Sequence, residues 1–279
     1  MDRQRLTITL KQDILDRLDA TIDGASIRNR SHAIEYYLGK ALGSSIKTAV
    51  VLAGGQGMKM RPFTYETPKA MIPVQGKPIL EHTVIMLRDA GVKKIIIQIG
   101  HLGNKIEEHF GDGSRLGISI SYVREVKAEG TAAALRLAKK ELQAGPFILM
   151  YGDVLIDINL LDFIDFHSES NSLATIAVTS VAKPSEFGVV RMQGSKVVEF
   201  LQKPPQSQGM SHLIYTGVSI IEPEVISLIP DKGESHLEED VFPRLAKQKK
   251  LSGYPFEGKW FDIGTPEDYE RALANWPKS

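Results

Sequence analysis

LAGGQGMKMRPFTYETPKAMIPVQGKP, residues 52–78, follows an apolar run that begins at Ala49, and its reading decides the fold. Gly54, Gly55 and Gly57 stand directly behind a continuous apolar strand. Glycines there let the backbone turn sharply and aim its amides at an anion. The loop lacks the Gly-Lys-Ser/Thr ending of a P-loop and does not follow the dinucleotide G-x-G-x-x-G spacing. A tight strand-to-helix turn also needs glycine, so the loop alone leaves the chemistry open. Outward from it, the spacing predicts an amphipathic helix over residues 79–90 and a second strand over 94–99. Further strands are expected near 118–123, 147–150, 174–178, 189–192 and 215–221. Strands alternating with helices predict an α/β fold with a Rossmann-like, doubly wound mixed sheet, parallel for the most part.

Composition narrows the class. The chain has 279 residues, 42% of them hydrophobic and 24% charged, which suits a globular protein better than a disordered or membrane-embedded one. No apolar run reaches the roughly 18–20 residues of a spanning helix, and the charged opening MDRQR leads into no apolar signal core. A cytoplasmic protein with no membrane partner is the expectation. With no cysteine, disulfides, thiolate nucleophiles and Cys-bound zinc drop out. The 34 basic and 34 acidic residues cancel, so anion binding must come from local sites.

Residues 52–78 resemble the signature of the sugar-1-phosphate nucleotidyltransferases, roughly L-A-G-G-x-G-T-R-L-x-P, then P-K, then a Pro-Val and Lys-Pro pair. The resemblance extends over about residues 47–275, with its strongest blocks at the two ends. It implies nucleotide binding by Leu52, Ala53, Gly54, Gly55 and Gly57. The family's Thr-Arg is Met58-Lys59 here, so Lys59 takes the place of the arginine expected on the leaving pyrophosphate. Lysine keeps the charge but loses the planar two-pronged donor, a deficit Arg61 is placed to offset. Lys69 matches the lysine of P-K, expected against the α-phosphate and the sugar phosphate.

In-line displacement at phosphorus asks the protein for position and charge more than for covalent chemistry. The cofactor expected is Mg2+, held by one or two carboxylates and the phosphates. Asp153, behind the strand FILMYG, and Asp262, within WFDIGTPEDY, match the family's metal-binding aspartates. REVKAEGTAAAL resembles the base-reading stretch, through Glu125, Gly130 and Thr131, with Glu129 competing for the carboxylate role. A carboxylate complements the adjacent N1–H and N2–H donors of guanine, whereas glutamine would suit uracil or thymine. EFGVV and LQKP resemble the sugar-binding turn and the E-K-P element, implying sugar-phosphate contacts from Gly188, Gln202, Lys203 and Thr216. Gln202 stands where the family has a glutamate and accepts hydrogen bonds more weakly. The substrates implied are a nucleoside triphosphate and a hexose-1-phosphate, mannose-1-phosphate with GTP ahead of glucose-1-phosphate with UTP or dTTP. Relatives often append a left-handed β-helix; none is expected here.

Residues 1–43 read differently. RLTITL, residues 5–10, alternates strictly and predicts a short strand. Helical spacing follows from Gln12 to Ile22 with Gly24 as the stop, and a second helix is expected to begin at Ser31 as N-cap. Residues 44–46 form a linker to a transferase domain over 47–279. One strand and two short helices cannot enclose a core, so a second chain is required. The order resembles the ribbon-helix-helix DNA-binding family. That implies a homodimer or higher even oligomer, with Arg5, Thr7 and Thr9 facing base edges of double-stranded DNA and the amides near Ser31 on a phosphate. A dimerisation module without DNA is the alternative, because residues 1–46 hold only seven Lys or Arg against six Asp or Glu.

Overall fold

The computed structural model describes residues 7–24, 27–42, 45–125, 127–206 and 210–277. In chain order the strands are β1 (Thr48–Ala53), β2 (Pro73–Val74), β3 (Lys77–Pro78), β4 (Lys94–Ile99), β5 (Ser119–Arg124), β6 (Phe147–Tyr151), β7 (Val154–Ile156), β8 (Ala174–Ser180), β9 (Gly188–Gln193), β10 (Lys196–Gln202), β11 (Leu213–Ile221), β12 (Leu251–Pro255) and β13 (Trp260–Asp262). The α-helices are α1 (Gln12–Asp19), α2 (Arg30–Leu42), α3 (Ile79–Asp89), α4 (Gly103–Phe110), α5 (Thr131–Leu137), α6 (Leu160–Ser170), α7 (Phe242–Lys247) and α8 (Pro266–Asn275).

Among the described residues nine strands form one sheet in the order β5-β4-β1-β6-β11-β8-β12-β10-β9. TAVVLA and KIIIQI are interior strands of its parallel half, and they read as apolar runs because parallel strands covered on both faces need apolar side chains pointing both ways. Val50 packs on one face with Ala132, Leu149 and Phe242. Val51 packs on the other with Leu80, Leu87 and Phe163. From β5 to β6 the pairing is parallel. β11 then runs antiparallel to both β6 and β8, so the sheet is mixed. Open sheets of this kind bind ligands beyond the carboxyl ends of the parallel strands. The loops after β1, β4 and β6 meet there.

A third apolar cluster lies beneath that edge. Met60, Ile72 and Val74 from the segment after the glycine loop pack with Leu155 of β7, Ile263 after β13 and Ala272 of α8. It seats the glycine-loop segment on the elements that carry the late aspartate.

Ahead of β1 the outcome departs from expectation. Thr7 to Leu10 join no ladder among the described residues, and Thr7, Ile8 and Thr9 are all exposed. A lone strand has nothing to pair with inside one chain. Arg5 lies outside the described residues. The second helix starts at Arg30, not at Ser31. Its N-cap is Asn29, whose Oδ1 accepts from the His32 amide at 3.0 Å, and Ser31 is exposed within the first turn. Arg30 forms a two-pronged pair with Asp19, at 2.7 and 2.6 Å, that ties α2 to α1. α2 lies against α6.

Candidate active site

β1 ends in Ala53, buried, and the glycine loop opens behind it. The Gly54 amide donates to Gln98 Oε1 at 3.1 Å, and a Cβ on residue 54 would fall 2.4 Å from Gln98 Nε2. Gly57 has φ +61°, and a Cβ there would meet Thr64 Cγ2 at 2.8 Å. Thr64 Oγ1 in turn donates to the Gly57 carbonyl at 2.7 Å. At residue 57 the left-handed backbone and the Thr64 contact together call for glycine, whereas a side chain at residue 54 would push Gln98 aside. The loop forms one wall of a cavity of about 590 Å³, and Leu52, Glu125, Gly130, Thr131 and Asp153 join it. That volume lies within the range of small-ligand sites.

Three charged side chains meet at the rim. Asp153 follows β6, and β7 pairs antiparallel with β13, setting Val154 opposite Asp262. The Ile263 amide donates to the Asp153 carbonyl at 3.1 Å. The two aspartates, far apart in sequence, thus sit side by side. Lys69 Nζ lies 2.7 Å from Asp153 Oδ2 and 3.9 Å from Asp262 Oδ1. Burial alone would lower the Lys69 pKa, but Asp153 and Asp262 outweigh it and the net shift is upward. Burial, and after it the neighbouring Asp153 carboxylate, push the Asp262 carboxyl up to about 6, against the pull of Lys69 and Lys203. Among the described residues no three His, Cys, Asp or Glu side chains converge as a metal cluster.

Along the cavity wall Glu125 accepts from Gln98 Nε2 at 2.6 Å through Oε2 and from the Glu129 amide at 3.1 Å through Oε1. Gly130 has φ +101°, and a Cβ there would lie 2.4 Å from the Ser235 carbonyl. Thr131 begins α5, but its hydroxyl donates to Glu238 Oε2 at 2.6 Å and accepts from the Leu237 amide at 2.9 Å. The Tyr151 hydroxyl donates to the other oxygen of Glu238. Burial pushes the Glu238 carboxyl up. Of these, Gln98, Tyr151 and Glu238 went unread in the sequence; Gln98 and Tyr151 line the cavity together with His101 and His236. A lone amide inside KIIIQI is a signal that was available.

The residues expected at the sugar phosphate are less uniform. Gly188 opens β9, and a Cβ there would come 2.6 Å from Phe200 Cζ and 3.1 Å from Gln202 Oε1. That Gln202 oxygen is buried and has no hydrogen-bond partner. Lys203, at φ +43°, donates its amide to the Phe187 carbonyl at 2.9 Å, and its charge reaches Asp262. Thr216 is buried and its hydroxyl donates to the Ala177 carbonyl at 2.9 Å, so that group is spent inside the sheet. Its carbonyl accepts from Trp260 Nε1 at 3.0 Å. Lys59 is exposed on the 3-10 turn Met58–Met60, and the Arg61 guanidinium lies 5.2 Å from the centre of the Tyr65 ring.

Among curated proteins, the UTP–glucose-1-phosphate uridylyltransferase of a Synechocystis strain is 36% identical over 247 residues, covering 81% of this chain and 62% of its own length. The mannose-1-phosphate guanylyltransferase of Mycobacterium tuberculosis is 36% identical over 233 residues, covering 81% of this chain and 64% of its own. The chain therefore spans less than two thirds of either relative. A solved UDP-glucose pyrophosphorylase in complex with UDP-glucose superposes with a TM-score of 0.74 over 83% of this chain and 98% of its own, at 23% identity, which shows the shared fold. The nucleotidyl transferase family matches residues 48–279. A match that opens on the first residue of β1 and runs through α8 shows that the chain belongs to the nucleotidyl transferase family.

Proposed function

We propose that the protein transfers a nucleotidyl group from a nucleoside triphosphate to a hexose-1-phosphate. The observation that carries this reading is the Lys69 ammonium held between Asp153 and Asp262 at the rim of a glycine-walled cavity. An oxygen of the sugar phosphate attacks the α-phosphorus, a P–O bond forms, the α–β P–O bond breaks, and pyrophosphate leaves with the electron pair. Lys69 supplies positive charge beside the α-phosphate. Two hard carboxylates, with no third His, Cys, Asp or Glu converging on them among the described residues, fit Mg2+, which keeps phosphate and water in its shell. Asp153 and Asp262 would hold it, and when bound it neutralises phosphate charge. Lys59, Gln202 and Lys203 are assigned to the pyrophosphate and the sugar phosphate, and Gly188 admits the sugar close to the backbone. Thr216 contributes through its backbone, since its hydroxyl is occupied.

Glu125 presents carboxylate oxygens to the cavity, which favours a base with paired N–H donors. Mannose-1-phosphate with GTP therefore stands ahead of glucose-1-phosphate with UTP or dTTP on the chemistry of Glu125, and the relatives include both kinds. For residues 1–43 the proposal is a ribbon-helix-helix module that pairs with a second copy, favoured by the exposure of Ile8, Ile14, Tyr37 and Leu38. Binding of double-stranded DNA by that module, with the transferase-like part sensing nucleotides or sugar phosphates, is the second reading.

The test is pyrophosphate release with Mg2+ across a matrix of nucleoside triphosphates and hexose-1-phosphates, beside Asp153→Asn. Release confined to one pairing and lost in the variant supports the transferase. No release in any well, with nucleotide still bound, supports the sensor.

A further inference from the structure

β4 carries one polar side chain in an apolar row. Gln98 is 4% exposed and is flanked by Ile95, Ile96, Ile97 and Ile99, all buried. A buried amide left unpaired is destabilising, so its partners define what it does. Oε1 accepts from the Gly54 amide at 3.1 Å, and Nε2 donates to Glu125 Oε2 at 2.6 Å. Turned over, the amide would set its NH2 against an N–H and its oxygen against a carboxylate, so one orientation alone is satisfied. Gly54 is also gripped from the far side, because a Cβ on Gly100 would lie 2.6 Å from the Gly54 carbonyl oxygen. Beyond Glu125 the chain of contacts continues to the Glu129 amide, and the Glu129 carboxylate pairs with Arg136 at 2.8 Å.

We propose that Gln98 is a positioning residue that couples reading of the nucleobase at Glu125 to the set of the phosphate-binding loop at Gly54. The inference rests on the nucleotidyl-transfer reading for its ligand, a nucleoside triphosphate. With the Gly54 N–H committed to Gln98, phosphate oxygens are left to the amides further along the loop. A base that engages Glu125 draws on the same carboxylate that orients Gln98, so base and phosphate are sensed through one side chain.

The experiment is calorimetric titration of GTP, UTP and inorganic triphosphate into the full chain, with inorganic triphosphate reporting the loop without a base. Gln98→Met keeps the volume and removes both hydrogen bonds. It is expected to bind all three about tenfold more weakly, the cost of one or two such bonds, and to flatten the GTP to UTP ratio. Gln98→Glu sets two carboxylates face to face and should weaken inorganic triphosphate further. The exchanged pair Gln98→Glu with Glu125→Gln restores acceptor and donor in reverse order. It should recover inorganic triphosphate affinity while altering base preference, a rescue that a packing role alone would not produce. Wild-type affinities and ratio in Gln98→Met, or an exchanged pair no better than Gln98→Glu alone, would overturn the coupling. Because the readout is binding, absent turnover counts against the transferase and leaves the coupling measurable. A wild-type chain that binds none of the three overturns both.

Discussion

Val50 and Val51 point to opposite faces of the sheet and both are buried by residues of the same chain. Ahead of β1, Ile8 keeps 44% of its surface, Ile14 43% and Leu38 50%, and no residue of α1 is buried. The apolar spacing is comparable in the two regions; the difference is length. From β1 onward there are enough elements for each stripe to meet another, whereas α1 and α2 bury Ala33, and α2 lies against α6, but Ile14, Tyr37 and Leu38 are left facing water. Function follows the same division. The charged centre is assembled and paired within one chain, while anything residues 1–43 do by pairing waits for a second copy.

The sharpest way to break this contrast is at the centre. Asp262→Asn or Lys69→Met should lower turnover by about three orders of magnitude, the scale of losing a charge at a transferring phosphate, with little change in the unfolding midpoint. A loss of folding instead would mean that the centre belongs to the core. Next, Ile14→Asp combined with Leu38→Asp should weaken self-association about a hundredfold or more in sedimentation, the scale of losing central apolar anchors, and leave turnover per chain intact. Unchanged association would show that another surface pairs the chains.

His167 sharpens the contrast from inside the sheet region. It accepts from Thr175 Oγ1 at Nδ1 and donates from Nε2 to Glu222, and burial pushes its pKa down to about 4. The unfolded chain takes up this proton near pH 6.5 and the folded chain only near pH 4, so stability is lost as pH falls through that window, by about 3 kcal/mol. Glu222, shifted up by burial, works in the opposite direction and trims the effect. Chemical unfolding at pH 7, 5.5 and 4.5 should show the fall, and His167→Gln should flatten it. The smallest effect expected is at the α8 cap. Thr265 and Asp268 form a reciprocal capping box just after Asp262, and Thr265→Ala should cost about 1 kcal/mol, a few degrees in the melting midpoint.

Buried parallel strands were legible because both faces demand apolar residues: the expected strand over 94–99 coincides with β4. The glycine loop and Lys69 were legible because their signature is continuous. β7 and β13 were not, since three-residue strands carry no period, yet their pairing is what joins Asp153 to Asp262. Gln98 was hidden by its apolar neighbours, and Glu238 by a polar run in which nothing marks the one carboxylate that turns inward. Thr216 illustrates the converse: a position that matches a pocket motif spends its hydroxyl in the sheet. The strand at residues 5–10 was inferred from alternation, and alternation does not supply the second chain that a ribbon requires.

Which P–O bond breaks can be followed directly with isotope. A nucleoside triphosphate labelled separately at the α- and γ-phosphorus is incubated with the protein, Mg2+ and hexose-1-phosphate. α-Label is expected in a nucleotide sugar and γ-label in pyrophosphate; γ-label on the sugar or in free phosphate would rule out nucleotidyl transfer.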